Sequence, residues 1–316
     1  MMVKGIGLMV MPFLFLIIGI SVTMFISIPG INALSLMKEK QNSNNTSQSQ
    51  LSATTNFTLL KQLNLYTLYH RLNNTISDLM AIADASSNGS NSFGNLPLVN
   101  VTNEMKLKYH GLPSDQDLEK RNEARKLLAT NKALLYIGLL LPNGDRYFGE
   151  PYSPYQTNGP TINFAYRNHF IGAVETKQPY LSNTLNAVST GEPLAILANP
   201  IYSDSKNHNS LIGVQVLGLN YTYFNDLIKS AMMPEDGNKR FIIIDNNGTE
   251  IGDSSSNNYN MESFKDLQSF QNAKNGESGF LIEKINGKNM YISYTPIKFA
   301  QTNWIILLLS TKDYSQ

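Results

Sequence analysis

The sequence predicts an α+β protein with an N-terminal transmembrane helix, a long stalk helix and two tandem modules with antiparallel sheets. Its 316 residues are enough for two modules. Three observations support this architecture. Residues 6–28 carry no charge, and residues 51–85 repeat their apolar side chains at helical steps. A hairpin pattern also occurs twice, as "LLLPNGDRYFG" and later as "RFIIIDNNGTEIG".

Residues 1–30 form the predicted membrane anchor. As a helix, the uncharged run 6–28 spans about 33 Å, enough for a hydrocarbon core of about 30 Å. A cleaved signal peptide is the alternative, but its apolar core runs about 7–15 residues and ends in small residues. The run is longer than that, and Ile31-Asn32-Ala33 is a poor cleavage site. We therefore expect a single-pass protein of the cell membrane.

Residues 31–50 form a predicted polar linker, rich in Asn, Ser, Thr and Gln. Sequons for N-glycosylation begin at Asn44, Asn45, Asn56, Asn73, Asn88, Asn100, Asn220 and Asn247. A chain of this composition also forms sequons by chance, so they do not establish glycosylation. Together with the polar linker they favour an extracytoplasmic location for everything after the anchor.

Composition excludes several function classes. Lys and Arg number 25 against 24 Asp and Glu, without a basic stripe, so we expect no nucleic-acid partner. The absence of cysteine excludes disulfides and thiol chemistry. No H-E-x-x-H, G-x-S-x-G or phosphate-binding glycine motif occurs, so we predict no catalysis, no metal and no cofactor. The stretch "DNNGTEIGD" lacks the spacing and final Glu of a calcium loop and is better explained as a hairpin turn.

Residues 51–236 are predicted to hold the stalk helix, over 51–85, and the first module. "SSNGSNSFGN" ends the stalk helix, and a second helix follows over 115–132 with Ser114 or Asp115 as its N-cap. Strands are expected over 133–141 and 146–149. A short helix follows in "INFAYRNHFIGAVETKQ", two strands flank "STGEP", and "LIGVQVLGLNY" is a third strand before the helix "TYFNDLIKSAM".

Residues 237–316 are predicted to form the second module, because the same pattern restarts there. The hairpin is followed by a helix in "NMESFKDLQSFQNAKNGE", two strands around an Asn-Gly turn, and a last strand "TNWIILLLST". "ISYTPIK" falls where "ILANPIY" falls in the first module. The sequence therefore indicates an internal duplication, with the boundary near residues 233–239.

In this order of elements the chain resembles the double Cache family of extracytoplasmic sensor domains, which are PAS-like. The resemblance covers about residues 51–314. Besides the stalk helix it is carried by "LLLPNGDRYFG", "FAYRNHFIGAVETKQPYLSNT", "LAILANPIY", "LIGVQVLGLNYTYFNDLI" and "TPIKFAQTNWIILLLS". It implies the outer part of a chemoreceptor, sensor kinase or cyclase, with a small-molecule site in the membrane-distal, first module.

The same resemblance places the candidate ligand site. Arg167 occupies the position of an Arg that holds a ligand carboxylate in the amino-acid-binding members. Two departures are Ile162, where those members have Tyr, and Gly218, where they have the Asp that pairs with an ammonium group. A carboxylate or neutral polar ligand therefore fits better than a generic amino acid. The predicted ligand-binding residues are Arg167, His169, Tyr180 and Asn183 for polar contacts, and Phe170 and Tyr147 for the apolar wall. "ESFKDLQSFQNAK" has no equivalent Arg, so the second module is expected to be structural.

Simpler explanations stay open for these residues. Arg167 can be an exposed helix residue, and His169 can simply fill a wall. At the level of function, the alternative to a sensing domain is a non-sensing surface scaffold or a truncated receptor remnant. No output domain follows within the sequence, so we expect a homodimer through the long helix or a separate signalling partner.

Overall fold

The computed structural model describes residues 48–152, 163–188, 191–203, 210–232, 239–255 and 262–311, with the backbone alone over 48–64. The predicted anchor and nearly all of the predicted linker lie outside the described residues. Within those ranges, no helix combines the length and the apolar character needed to cross a membrane. The predicted boundary near 233–239 falls largely outside them as well, so it stays a prediction.

The described chain begins with one long helix, α1 (Gln48–Ser87), which contains the whole predicted stalk 51–85. Its buried side chains recur at steps of three and four residues and so share one face. They are Leu65, Leu68, Leu72, Ile76, Leu79 and Ala83. The helix packs along both modules through this face.

Two shorter helices follow, α2 (Asn103–Tyr109) and α3 (Leu118–Thr130). The predicted N-cap of the second, Ser114 or Asp115, is wrong. Asp117 is the cap, and its carboxylate accepts a hydrogen bond from the Lys120 N–H at 3.4 Å. Asp117 also accepts a hydrogen bond from the Tyr147 hydroxyl at 2.6 Å. A tertiary contact therefore adds to the local signal and selects this residue among several polar candidates.

The first module contains a five-stranded antiparallel sheet in the order β2-β1-β7-β6-β3. Its strands are β1 (Leu134–Leu140), β2 (Arg146–Glu150), β3 (Tyr180–Leu181), β6 (Ile196–Tyr202) and β7 (Leu211–Leu219). A short helix, α4 (Asn168–Thr176), covers one face, and α1 lies on the other.

The segment around "STGEP" differs from the two strands predicted there. After β3 the chain leaves the sheet and forms a separate two-stranded ribbon, β4 (Leu185–Asn186) with β5 (Pro193–Leu194), before β6 begins. Contacts to the second module and to the helix before it explain the departure. The Thr184 N–H donates to Asp245 Oδ2 at 2.9 Å, and the Thr184 hydroxyl lies 2.8 Å from the Tyr221 hydroxyl.

The second module begins after α5 (Tyr221–Ala231) and contains a sheet in the order β10-β11-β12-β8-β9. Its strands are β8 (Lys239–Ile244), β9 (Glu250–Asp253), β10 (Gly279–Ile285), β11 (Lys288–Phe299) and β12 (Thr302–Ser310). The helix α6 (Gln268–Lys274) covers the face corresponding to the one that α4 covers in the first module. The predicted pair of antiparallel α+β modules is therefore confirmed.

The two hairpins are built alike. Gly144 and Gly248 close them with φ of +84° and +80°, values that a residue with a side chain rarely adopts. Each of these glycines then accepts a hydrogen bond at 2.7 Å, Gly144 from the Phe164 N–H and Gly248 from the Phe264 N–H. The turn in each module thereby fixes the chain that leads into the covering helix.

One continuous core joins α1, α5 and the inner faces of both sheets. Trp304 is fully buried there, and its ring contacts Phe224 and Phe299 edge-on, with centroids 5.1 and 5.0 Å away. Burial of such aromatic side chains supplies much of the stability of the junction. The modules therefore present their other faces, under α4 and α6, as the places where a site can form.

Candidate functional site

The face of the first sheet under α4 forms the candidate site. Phe170 and Ala173 of α4 pack there against Leu140, Ile196, Ala198, Val214 and Val216 of the sheet. Alternate residues of a strand point to one face, which is why these positions share it. The floor is thus made of small and medium-sized apolar side chains.

Three glycines lie side by side in this floor. Gly149 of β2, Gly138 of β1 and Gly218 of β7 lie in adjacent strands. A Cβ on Gly149 would lie 2.2 Å from the Tyr136 hydroxyl oxygen, and one on Gly138 would lie 2.7 Å from it. The half-buried Tyr136 side chain therefore lies down over the strand backbones, in space that only glycine leaves free.

Arg167 stands at the start of α4, in the extended backbone conformation of an N-cap residue. Its Nε donates to the Tyr166 hydroxyl at 3.2 Å, and its guanidinium lies 5.3 Å from the centre of that exposed ring. Within the described part of the chain, no carboxylate pairs with Arg167. The guanidinium is half-buried and keeps most of its donors for another partner.

His169 follows on the first turn of α4 and is 5% exposed. Its Nδ1 is buried and makes no hydrogen bond with any described residue. Burial, and then the positive charge of Arg167, lower the pKa of His169 from 6.5 to about 4. The imidazole is therefore neutral near pH 7 and offers one donor and one acceptor.

Tyr180 lies beside the same helix. Its ring packs on α4 where Gly172 leaves room, since a Cβ on Gly172 would lie 2.3 Å from the ring. Phe170 belongs to the same apolar cluster. Asn183 is half-buried in the segment just after β3. The structure thus brings Arg167, His169, Phe170 and Tyr180 to one helix and its edge, with Asn183 nearby in the chain.

Tyr147 lies elsewhere. The pairing of β1 with β2 shifts by one residue between Leu139 and Leu140, and Tyr147 is buried in the core on the α1 side of the sheet. Its hydroxyl donates to Asp117 and accepts from the Val99 N–H at 2.9 Å. Burial, and then the bond to Asp117, raise the pKa of Tyr147 well above its ordinary value. The structure therefore does not place Tyr147 beside the α4 residues.

Sequence reasoning did not single out Tyr136, Gly138 or Gly149, and it noted Gly218 only as the position of a missing Asp. The available signal was three glycines, each inside a stretch that otherwise favours a strand. Ile162, the other departure noted in the sequence, lies outside the described residues. Among the described residues, no group of three His, Asp or Glu side chains gathers in a way that could hold a metal ion.

An open cleft is present at the end of α1, away from Arg167. Its volume is about 210 Å³, and its lining includes Asp84, Ser87, Lys177, Asn199 and Tyr202. This cleft lies along the free edge of β6 and shares no residue with the α4 face described above. It does not change the assignment of the candidate site.

The corresponding face of the second sheet, under α6, is filled. The residues packed there are Ile242, Ile244, Ile305, Leu307 and Leu309, with Phe270 and Ala273 of α6 above them. Leu267 holds the helix-start position that corresponds to Arg167. The second module therefore has no cation at the start of its covering helix.

A long helix followed by two such modules defines the class of extracytoplasmic sensor domains. The chain belongs to the Cache domain family, because the family model of the double form, dCache_1, matches residues 39–316. A comparison with curated proteins found no match.

Solved structures share the fold at low sequence identity. An extracellular ligand binding receptor from Desulfohalobium retbaense is 17% identical with a TM-score of 0.56. The match covers 80% of this chain and 40% of that one. The ligand binding domain of the Pseudomonas aeruginosa amino acid chemoreceptor PctC, in complex with GABA, is 12% identical with a TM-score of 0.54, over 80% of this chain and 98% of that one.

The corresponding domain of the Pseudomonas aeruginosa chemoreceptor PctB, in complex with L-Arg, is 15% identical with a TM-score of 0.54, over 81% of this chain and 94% of that one. At these identities the likeness concerns the fold. This chain therefore has the architecture of bacterial sensory domains, and its ligand is argued from its own residues.

Proposed function

We propose that this protein is the ligand-binding, extracytoplasmic part of a signal receptor, and that a small anionic or strongly polar molecule binds between α4 and the first sheet. The observation that carries this proposal is Arg167. Its half-buried guanidinium stands at the start of α4, the helix that covers the first sheet, and pairs with no described carboxylate. Such an unpaired guanidinium is a ready partner for a carboxylate.

The neighbours of Arg167 support the same ligand class. The neutral His169 adds a donor or acceptor beside the guanidinium. Gly218 provides no counter-ion for an ammonium group, which favours simple carboxylates over α-amino acids. The relatives crystallised with GABA and with L-Arg hold carboxylate-bearing ligands, and that shared feature is consistent with an Arg-centred site.

The test is calorimetry on the purified full-length chain in detergent, with short carboxylates, amino acids, amines and purines. Loss of a charge-assisted contact in a water-poor site costs about 2–5 kcal/mol, or roughly thirty- to several-thousand-fold in affinity. Arg167→Ala should show this loss for the carboxylates that bind. Arg71→Ala is the matched control, because that guanidinium bonds Ser230 far from α4.

Two outcomes would count against the proposal. Tight carboxylate binding that Arg167→Ala leaves unchanged would remove Arg167 from the site. Failure of every compound to bind or to raise the melting temperature would favour the scaffold alternative, since a ligand specific for the folded state must stabilise it.

The membrane topology is part of the proposal. We infer a single span over residues 6–28, from the uncharged run and the polar stretch after it. Protease added to intact cells should remove nearly the whole chain and leave a short membrane-bound N-terminal peptide. Protection of residues 51–316 would overturn the topology, and recovery of a mature chain beginning near residue 34 would favour the signal peptide. A homodimer through α1 is expected, and chemical cross-linking in membranes checks it.

A further inference from the structure

The sequons that begin among residues with described side chains differ in how far the folded chain exposes them. A sequon is Asn, any residue except Pro, then Ser or Thr, and a sugar on its Asn has to project into solvent. In Asn88-Gly89-Ser90 all three residues are exposed. In each of the other sequons at least one residue is buried, and these begin at Asn73, Asn100, Asn220 and Asn247. Asn88 therefore begins the described sequon that stands clear of the fold.

The other described sequons are held by contacts of the fold. Thr75, the last residue of the first, lies within α1 and is 6% exposed, and its hydroxyl is 3.2 Å from a tyrosine hydroxyl of α5. Asn220 donates from Nδ2, the atom that a sugar would take, to the Lys132 carbonyl at 3.1 Å. Val101 and Gly248, the middle residues of the remaining two, are buried. Each of these sequons is thus committed to a structural contact.

Asn88 has a different local environment, directly after the last residue of α1. Gly89 follows with φ +72°, and the Ser90 N–H donates to the Ala85 carbonyl at 2.9 Å, a bond that closes a helix C-terminus. Asn88 Oδ1 accepts hydrogen bonds from the Ser90 N–H at 3.0 Å and from the Ser90 hydroxyl. The carboxamide oxygen is therefore engaged, and no described residue accepts a hydrogen bond from the Nδ2 atom.

A groove rich in hydrogen-bonding groups begins at Asn88. A cleft of about 110 Å³ there is lined by Asn88 together with Ser87, Tyr202 and Ser203. It meets the larger cleft at the end of α1, because Ser87 and Tyr202 line both, and the groove so formed continues to the fully buried Asn199. Hydroxyl and amide groups can bond the hydroxyls of a sugar, and the half-buried Tyr202 adds ring surface. The lining therefore suits a carbohydrate.

The groove follows an unpaired edge of the first sheet. β3 pairs with β6 only at Leu197 and Ala198, and no described strand pairs with that side of β6 from Asn199 to Tyr202. An exposed edge of this kind invites pairing with another chain, and proteins commonly cover it or place a Pro there. Pro200 is one such protection. A sugar chain that starts at the end of α1 and lies in the groove would cover the same edge.

We propose that Asn88 carries an N-linked glycan and that its first sugars lie in this groove, against Tyr202. The co-reactant is an oligosaccharide carried on a lipid phosphate. Asn88 Nδ2 forms a bond to the anomeric carbon of the sugar, the bond from that carbon to the phosphate oxygen breaks, and one amide proton is released. Such a modification requires the extracytoplasmic location that is part of the proposed function, and it is independent of the ligand site.

The site is tested by mass spectrometry of the chain purified from the membranes of the cells that naturally make it. The peptide containing Asn88 should carry sugar in most chains, and those containing Asn73 and Asn220 should be unmodified. Ser90→Ala should abolish the modification and Ser90→Thr should keep it, because the sequon requires a hydroxyl. Asn100→Gln is the matched control and should leave the glycan on Asn88 unchanged.

The position of the sugars is tested by the melting temperature in detergent. Asn88→Gln should lower the melting temperature of the glycosylated chain by about 1–4 °C. The same substitution should have no comparable effect on a chain made in a host without N-glycosylation, which separates the sugar from any structural role of the Asn88 side chain. Tyr202→Ala should remove most of the difference between glycosylated and unglycosylated chains, because the two changes act on one contact.

Distinct results separate this proposal from the topology. An unmodified Asn88 in a chain that protease removes from intact cells would overturn the glycan and leave the topology standing. Protection of the chain from protease would overturn the topology, and the glycan with it. Equal modification of Asn73 or Asn220 would overturn the selection by exposure. A melting difference that persists in full in Tyr202→Ala would overturn the position of the sugars in the groove.

Discussion

The two modules share their backbone plan and differ in what that backbone carries. Arg167 begins α4 with φ −79° and ψ 137°, and Leu267 begins α6 with φ −75° and ψ 139°. The aromatic residue three positions later, Phe170 or Phe270, is buried in both. The same helix start therefore presents a cation in one module and an aliphatic side chain in the other. The two modules therefore share the backbone conformation at the helix start and differ in the side chain that this position carries.

The sheets under these helices also differ, because the second sheet carries larger aliphatic side chains at matching positions. Gly138 and Val216 face each other across β1 and β7, whereas Ile242 and Leu307 face each other across β8 and β12. Larger aliphatic side chains close the second floor into a dry core. In the first module the Tyr136 ring lies over glycines instead. The two copies thus differ by a few side chains on the same backbone plan.

Each module also keeps a buried polar residue with a side-chain atom that makes no hydrogen bond to any described residue. Glu250 of β9 is 1% exposed, and neither carboxylate oxygen has a hydrogen-bond partner among the described residues. It lies beside the ion-paired Asp253 and Arg240. Burial, and then the Asp253 carboxylate, raise the pKa of Glu250. His169 in the first module has its pKa lowered. The two modules should therefore respond to pH in opposite directions.

The largest expected effect concerns the packed floor of the second module. Leu307→Ala should lower the free energy of unfolding by about 2–5 kcal/mol, because it removes fully buried methyl groups and leaves a cavity. The matched change in the first module, Val216→Ala, removes fewer atoms beside a floor already opened by glycine and should cost less. Urea unfolding followed by circular dichroism measures both. Equal costs would mean that the two floors are packed alike.

An effect of comparable size is expected from His169 in acid. Its folded-state pKa of about 4 lies below the ordinary 6.5, so the unfolded chain binds the proton first as the pH falls. Stability from this residue is complete above pH 6.5 and is lost on acidification, by about 3 kcal/mol once the pH falls below 4. The measurement is the difference in unfolding free energy between wild type and His169→Gln across that range. A difference independent of pH would contradict the buried, neutral state of His169.

The smallest expected effect concerns Glu250, whose contribution to stability changes with pH in the direction opposite to that of His169. The pKa of Glu250 is raised, so its folded form resists ionisation, and stability falls as the pH rises above the ordinary value of 4.5. Glu250→Gln should therefore stabilise the protein at neutral pH, with an advantage that disappears in acid. Glu262→Gln is the control, because that more exposed carboxylate already pairs with Arg240. A destabilising Glu250→Gln at neutral pH would show that the ionised carboxylate has a favourable partner.

Much of the architecture could be predicted from local patterns. The stalk helix, the paired hairpins and the repeated order of elements follow from apolar periodicity and from Asn-Gly turns, both of which depend on residues close in sequence. A short helix containing Arg167 was predicted in the same way, but the helix begins one residue after Arg167, which is its N-cap. The division of the "STGEP" region into a separate ribbon was not, because it depends on Thr184 contacting Asp245 in the other module.

The sequence by itself determined most of the elements, their duplication and the presence of an Arg in the covering helix of the first module without an equivalent in the second. Only the tertiary structure decided which tyrosine lies under that helix. A one-residue shift in the pairing of β1 with β2 turns Tyr147 into the core, and strand pairing brings Gly138, Gly149 and Gly218 together beneath Tyr136. The physical reason is that the face of a strand residue reverses with each step in register. Contacts between strands far apart in the chain set that register, so no local pattern reports it.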